Sequence, residues 1–361
     1  MWGSWSAYFL RSSFGRPGNL SYFLFVINCP IVVYFLNRFE MSKKILVTGA
    51  TGFLGSALVK RFCTFPDTSV VAPLRNLNSK LPDVVEKTYI SNIDQATDWS
   101  QSLSGVNVVV HSAARVHVMH EDPTQSLEKF RAINVEGTLN LARQAIQAGV
   151  KRFIFVSSIK VNGESTAQGH AFSADDIPHP SDTYGISKYE AEQQLMQLSN
   201  TGAIEVVIIR PVLIYGAGVG ANFQQMMHWL VKGIPLPFGA VANYRSLVSL
   251  DNVVDLVKIC IDHPQAKNQV FLVSDDEDVS TTQLMQRLIN YLGVKTWLVP
   301  VPVGVLVFLA GLLGRRAVAQ RLFGSLQVDI QKNQELLGWR PTVSLDDGLK
   351  STAQHFLEFR K

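Results

Sequence analysis

Cysteine is scarce: Cys29, Cys63 and Cys260 are the only three in 361 residues, and none shares a CxxC spacing. That excludes a disulfide scaffold and a thiolate zinc site, and it fits a reducing compartment, read here as the cytoplasm. His117 and His120 have no second ligand pair beside them, so no metal site is expected. With 25 glycines and 15 prolines the chain is not collagen-like, and 47% hydrophobic residues exclude disorder. An excess of one charge is also missing. The 33 basic and 29 acidic residues give +4, too little for a nucleic-acid footprint.

Long unbroken apolar runs are lacking too. Residues 20–36 are interrupted by Ser21, Asn28 and Pro30, and as a helix they would reach roughly 26 Å against a ~30 Å hydrocarbon core. The first forty residues hold 11 of the 35 aromatic side chains and four charges. Two readings stay open for residues 1–40: a marginal membrane anchor, or a non-native extension ahead of a start at Met41. A second run, 297–313, is broken by Pro300, Pro302, Gly304 and Gly311. Only 303–313 can form a helix, which is too short to cross a bilayer. It reads as a buried element of a second domain, with an interfacial contact on the inner face of the cytoplasmic membrane as the other reading.

What is present from Lys44 onward is an alternation of short β-branched runs and helical stretches. Strands are expected at 44–48, 69–74, 107–111, 153–156 and 205–209, and helices at 53–62, 126–148 and 184–198. Continuous apolar strands separated by helices demand a parallel sheet covered on both faces. The fold class is therefore α/β, a Rossmann-type doubly wound parallel sheet. After Tyr215-Gly216-Ala217-Gly218 the alternation stops and helices at 223–231, 251–262 and 281–291 are joined by loops. The expected division is a dinucleotide-binding domain over 41–215 and a smaller C-terminal substrate-binding domain over 216–361, with some chain crossing back to the sheet.

The first strand runs into Thr48-Gly49-Ala50-Thr51-Gly52-Phe53-Leu54-Gly55 and directly on into a helix. Glycines permit the tight turn, the approach of backbone to a pyrophosphate and close helix–sheet packing, while the helix N-terminus offers free N–H groups to the anion. Gly49, Thr51, Gly52, Phe53, Leu54 and Gly55 are the expected cofactor contacts. Where an acidic residue would select a free ribose hydroxyl, the second strand ends in Arg75, which tilts the expectation from NAD toward NADP.

Further on, Ser158 follows the strand 153–156, and Tyr184 and Lys188 stand four apart on one helix face. A tyrosine acting as a base near neutrality needs its pKa lowered by ~3 units, worth about 4 kcal/mol. An ammonium about 4 Å away at an effective dielectric of ~20 supplies roughly that. The expectation is that Lys188 lowers Tyr184 while Ser158 steadies the substrate oxygen.

These motifs, with His111-Ser112-Ala113-Ala114, Asn134-Val135-Glu136-Gly137-Thr138, Arg210-Pro211, Tyr215-Gly216 and Arg245, make the chain resemble the extended short-chain dehydrogenase/reductases of the NAD-dependent epimerase/dehydratase family. The resemblance implies a UDP-sugar substrate and NADP or NAD. It puts Asn92 and Ile93 at the adenine, Ala113 and Ala114 behind the ribose, Lys188 on the nicotinamide ribose and Pro211 near the carboxamide. It makes Ser158, Lys160, Asn162, Tyr184, Asn222 and Arg245 substrate contacts, Arg245 on the diphosphate. His111 is expected to be a hydrogen-bonded strand end rather than a base.

Dehydratases of the family follow the catalytic hydroxyl with acidic residues; here Ile159 and Lys160 follow, which argues against dehydration. Within the family the loop 158–163 is similar to a subgroup that includes reductases of UDP-4-keto-6-deoxy-N-acetylhexosamines serving surface-polysaccharide (O-antigen) synthesis. C4 reduction is the leading expectation, and a UDP-glucose or UDP-N-acetylglucosamine 4-epimerase the alternative. A steroid- or dihydroflavonol-type reductase and a non-catalytic NADP-binding member are further readings. The resemblance also implies a homodimer through the helices at 126–148 and 184–198.

Overall fold

In the computed structural model, residues 43–116, 123–167, 169–312 and 322–359 are described; residues 1–40 and the two histidines His117 and His120 lie outside them. Seven strands make one wholly parallel sheet: β1 (Lys43–Thr48), β2 (Thr68–Leu74), β3 (Glu86–Tyr89), β4 (Val108–His111), β5 (Arg152–Val156), β6 (Glu205–Pro211) and, later in the chain, β9 (Gln269–Val273). Their spatial order is 3-2-1-4-5-6-9, so the direction of winding reverses beside β1. In such a sheet the crevice at the carboxyl ends of the strands flanking the reversal is the natural ligand site.

The strand sequences explain the two-faced burial. Every residue of β4 and β5 is buried, and alternate side chains serve opposite faces. Ile45, Val47, Val108, Val110 and Ile154 enter one core, while Leu46, Val109, Phe153 and Phe155 enter the other. Helix α1 (Phe53–Phe62) and α6 (Leu250–Asp262) cover the first face; α3 (Thr138–Gln147) and α4 (Thr183–Ser199) cover the second. Arg152 at the start of β5 anchors α6 by donating to the carbonyls of Cys260, Ile261 and His263 at 2.8, 3.1 and 3.0 Å.

A smaller lobe is built on a three-stranded sheet of β7 (Leu213–Tyr215), β8 (Arg245–Ser249) and β10 (Asp278–Val279). Its core joins Tyr215 and Leu247 to α5 (Ala221–Val231), α7 (Thr281–Leu292) and α9 (Leu345–Glu358). Two later segments return to the large sheet, α6 on its face and β9 at its edge beside β6.

Three sequence expectations are corrected. The helix expected over 126–148 is interrupted: α2 (Pro123–Phe130) passes into a widened, π-type turn at Arg131–Gly137 before α3 begins. Gly137 there lies so close to Ile93 that a Cβ would stand 2.8 Å from its carbonyl oxygen. Strands β3 and β9 were not expected; they form the two sheet edges, and β3 has only one buried residue to signal it. The run expected as a buried element instead forms α8 (Val303–Leu312), none of whose residues is buried. Among the described residues no helix is long and apolar enough to cross a membrane.

The tightest packing joins α1 to the glycine loop. Gly49 has a positive φ of 69°, and a Cβ on Gly55 would sit 2.0 Å from the Gly49 oxygen. Gly55→Ala is expected to push the helix off the loop and cost at least about 1–3 kcal/mol, the range for overpacking. A chemical-denaturation midpoint equal to that of the parent protein would show that α1 can move without penalty.

Candidate active site

Because all seven large-sheet strands are parallel, the segments following them emerge at one edge. The glycine loop follows β1, Arg75 follows β2, Asn92 and Ile93 lie just beyond β3, Ala113 and Ala114 beyond β4, Ser158 beyond β5, and Pro211 closes β6. The fold thus brings to one rim residues spread over more than 150 positions of sequence. Asn222, exposed in the first turn of α5, and Arg245, half-buried at the start of β8, belong to the smaller lobe.

The glycine loop fits a dinucleotide. Gly52 is the N-cap of α1 and no side chain caps that helix, which leaves its first-turn amides free to face an anion. Gly49 approaches the next strand so closely that a Cβ would lie 3.0 Å from Ala113 Cα. On Gly52 a Cβ would meet only the Gly49 oxygen, at 3.2 Å, so the loop is open on that side. Thr51 and Gly52 are exposed, and Phe53 and Leu54 are half-buried.

Behind the loop, Thr48 and His111 tie β1 to β4. Thr48 Oγ1 lies 2.8 Å from His111 Nδ1 and accepts from the Ala113 amide at 3.2 Å, while His111 Nε2 is 3.0 Å from Thr138 Oγ1. Burial, seconded by the charge of Lys188, drives the His111 pKa down to about 3. With both ring nitrogens held by hydroxyls, this histidine is a neutral structural brace.

The widened turn now has a visible consequence. Asn134 accepts from the Arg115 amide at 2.8 Å and donates to the Arg115 carbonyl at 3.1 Å and to Ser187 Oγ at 3.0 Å; Ser187 in turn donates to the Tyr184 carbonyl at 2.8 Å. One amide therefore registers the Ala113-Ala114-Arg115 segment against the helix that carries Tyr184 and Lys188.

Ser158 begins a short 3-10 turn, Ile159–Val161, and its Oγ accepts from the Lys160 amide at 3.3 Å. The N-terminus of α4 packs on this turn: a Cβ on Gly185 would meet the Lys160 oxygen at 2.8 Å. Asp182 caps α4 by accepting from the Gly185 amide at 2.7 Å, and its other oxygen pairs with Lys160 Nζ. Lys160, expected to face the sugar, is thus shared between Asp182 and Glu164, the latter at 3.7 Å.

Asn162 departs further from expectation. It is 2% exposed, donating to the Ser173 carbonyl and accepting from Arg210 Nη1, both at 2.9 Å. Arg210 also grips Glu192 with two further nitrogens. Both ends of the Asn162 amide are consumed inside the protein, so it positions the turn rather than meeting a sugar. The Arg210–Glu192–Asn162 cluster and the Asp182 cap escaped sequence reasoning. Asp182 did carry a signal, an aspartate directly before a helix.

The electrostatics overturn the expected direction for the tyrosine. Burial, reinforced by the Asp182 carboxylate, pushes Tyr184 up to about 12. Burial brings Lys188 down to about 7, against the opposing pull of Glu192. Lys188 is 1% exposed, with its Nζ 3.9 Å from the centre of the Phe155 ring. Spacing alone sets one fully charged lysine beside an otherwise unperturbed tyrosine. The structure buries Lys188 and half-buries Tyr184, and desolvation disfavours the charged form of each.

Residues 45–274 match the family model described as the NAD dependent epimerase/dehydratase family. The chain belongs to that family. Among its relatives in this family, a UDP-glucose 4-epimerase of Vibrio cholerae is 48% identical over 320 residues, covering 88% of this chain and 97% of that protein. An N-acetyl-alpha-D-glucosaminyl-diphospho-ditrans,octacis-undecaprenol 4-epimerase of Escherichia coli O157:H7 is 28% identical, covering 74% and 78%. Of solved structures, the UDP-glucose 4-epimerase of Thermotoga maritima with UDP-glucose has TM-score 0.68 at 24% identity, covering 88% of this chain and all of that one. The UDP-glucuronic acid 4-epimerase of Bacillus cereus with NAD has TM-score 0.70 at 21% identity, with the same coverage. At these identities the structures establish a shared family fold.

The protein should lose stability in acid partly through His111. An unfolded histidine takes up a proton below about pH 6.5, whereas the folded one stays neutral down to about 3, so stability falls as pH drops through that window, by up to about 5 kcal/mol. Nitrogen NMR of the His111 ring is expected to report a neutral imidazole near pH 5. A protonated ring there would refute it.

Proposed function

We propose that the chain is a UDP-hexose 4-epimerase, inverting C4 of UDP-glucose or UDP-N-acetylglucosamine with NAD as cofactor. The observation that carries this reading is the 48% identity to a UDP-glucose 4-epimerase across 88% of the chain. The C4 reduction that leads from the loop 158–163 has no comparable support among the named relatives, and the epimerase alternative takes its place. The choice of NAD rests on the family and on relatives solved with NAD. Arg75, exposed beyond β2, is the residue behind the expectation of NADP.

In this reading Gly49, Gly52, Phe53 and Leu54 bind the pyrophosphate and Ala113 and Ala114 back the ribose. NAD held there would supply a reversible hydride acceptor for C4. Ser158 orients the C4 oxygen, and Tyr184 takes the hydroxyl proton and gives it back. In its buried setting Tyr184 is a strong base once ionised, and the group it receives the proton from must lie within hydrogen-bond reach. Lys188 holds the ribose and, when protonated, supplies the positive charge that favours the phenolate.

Purified protein incubated with UDP-glucose or UDP-N-acetylglucosamine, with no cofactor added, is expected to give the C4 epimer. Oxidation of NADPH by a UDP-4-keto-6-deoxyhexosamine, with no epimer formed, would reverse the assignment in favour of the reductase. Tyr184→Phe should lower turnover by at least ~10²-fold while NAD binding persists; wild-type turnover in that variant would remove Tyr184 from the proton-transfer role.

A further inference from the structure

The lobe that carries Arg245 also carries an apolar surface that the site does not use. Helix α8 is composed only of apolar residues and glycine, yet buries none of them; Phe308 is 66% and Leu312 70% exposed, with Val305 and Leu309 nearly half exposed. The segment leading to it is tied to the stretch after α5 through the buried Leu236. Leu236 and Leu298 form an isolated parallel pairing: the Leu236 amide donates to the Trp297 carbonyl at 2.9 Å and the Val299 amide to the Leu236 carbonyl at 2.8 Å. The same two backbone stretches carry Ile234, 50% exposed, Trp297, 65% exposed, and the exposed Lys232 and Lys295.

Charge is distributed with the same bias. From Val206 to Leu250 and again from Val279 to Val328 the sequence has no aspartate or glutamate, and the second stretch has five basic residues. An exposed apolar patch rimmed by polar groups marks an interaction site. A protein groove would read one stripe of a helix, but α8 is apolar on every side. At ten residues, roughly 15 Å, it reaches only partway into a bilayer. Tryptophan is enriched where a membrane meets water, and lysine is drawn to anionic headgroups.

We propose that α8, together with Trp297, Ile234, Lys232 and Lys295, docks on the face of an anionic lipid bilayer. Phe308 and Leu312 enter the acyl boundary, and the two lysines meet the headgroups. The helix lies outside the residues assigned to cofactor and proton transfer, so docking leaves the chemistry unchanged.

The test is cosedimentation of the full chain with phosphatidylcholine vesicles containing or lacking phosphatidylglycerol, together with Phe308→Glu/Leu312→Glu in the same full chain. The parent protein is expected to sediment with the anionic vesicles, less so as salt rises. The double variant should lose at least about tenfold in partitioning while its nucleotide-sugar turnover matches the parent. Equal binding by parent and variant would overturn the proposal, the apolar run 20–36 then being the anchor. So would failure of the parent to bind either vesicle. A parent oligomer that the variant dissociates, with no vesicle binding, would show instead that a second copy covers the patch.

Discussion

The buried pair Arg210–Glu192 holds the candidate site in register. Both side chains are below 5% exposed, and a charge in such a place is tolerated only when fully paired. Arg210 stands on β6, Glu192 on α4, and the third partner, Asn162, on the turn that Ser158 opens. A sheet strand, the helix of Tyr184 and Lys188, and the serine turn are therefore fixed to one guanidinium. Glu192 also faces Lys188, where its charge opposes the desolvation that brings the lysine down to about 7. Structural brace and electrostatic tuning are properties of one carboxylate.

A second brace works on the cofactor side. Thr48, His111 and Thr138 clamp β1 to β4 and to α3 at the point where the sheet reverses direction, and Asn134 links the segment beyond β4 to α4. The two braces meet at Lys188, whose charge reaches His111 and which feels the charge of Glu192. Buried polar networks of this kind are rigid when every member is satisfied.

The local signals were legible where they depended on neighbours in sequence. The glycine loop, the alternation of strands and helices, and the Tyr184/Lys188 spacing are all short-range patterns, and the observed elements differ from the expected ends by only a few residues. The edge strand β3 was not legible, because Glu86-Lys87-Thr88-Tyr89 has no apolar run. The widened turn was hidden inside an ordinary amphipathic pattern; it ends at Gly137, whose close packing on the Ile93 backbone joins segments more than forty positions apart. Lys160 and Asn162 looked like sugar contacts until Asp182 and Arg210, 22 and 48 positions away, claimed them.

By itself the sequence determined the family, the doubly wound sheet, the glycine loop and the spacing of Tyr184 and Lys188, because each is encoded in motifs whose members are near one another or fall at strand ends. Only the tertiary structure decided the protonation behaviour of Tyr184 and Lys188, the partners of Asn162 and the exposure of α8. Desolvation is a property of everything packed around a group, and no spacing along the chain records it. For α8 the same composition that suits a core was left on the surface, and its burial depends on what the rest of the lobe leaves uncovered.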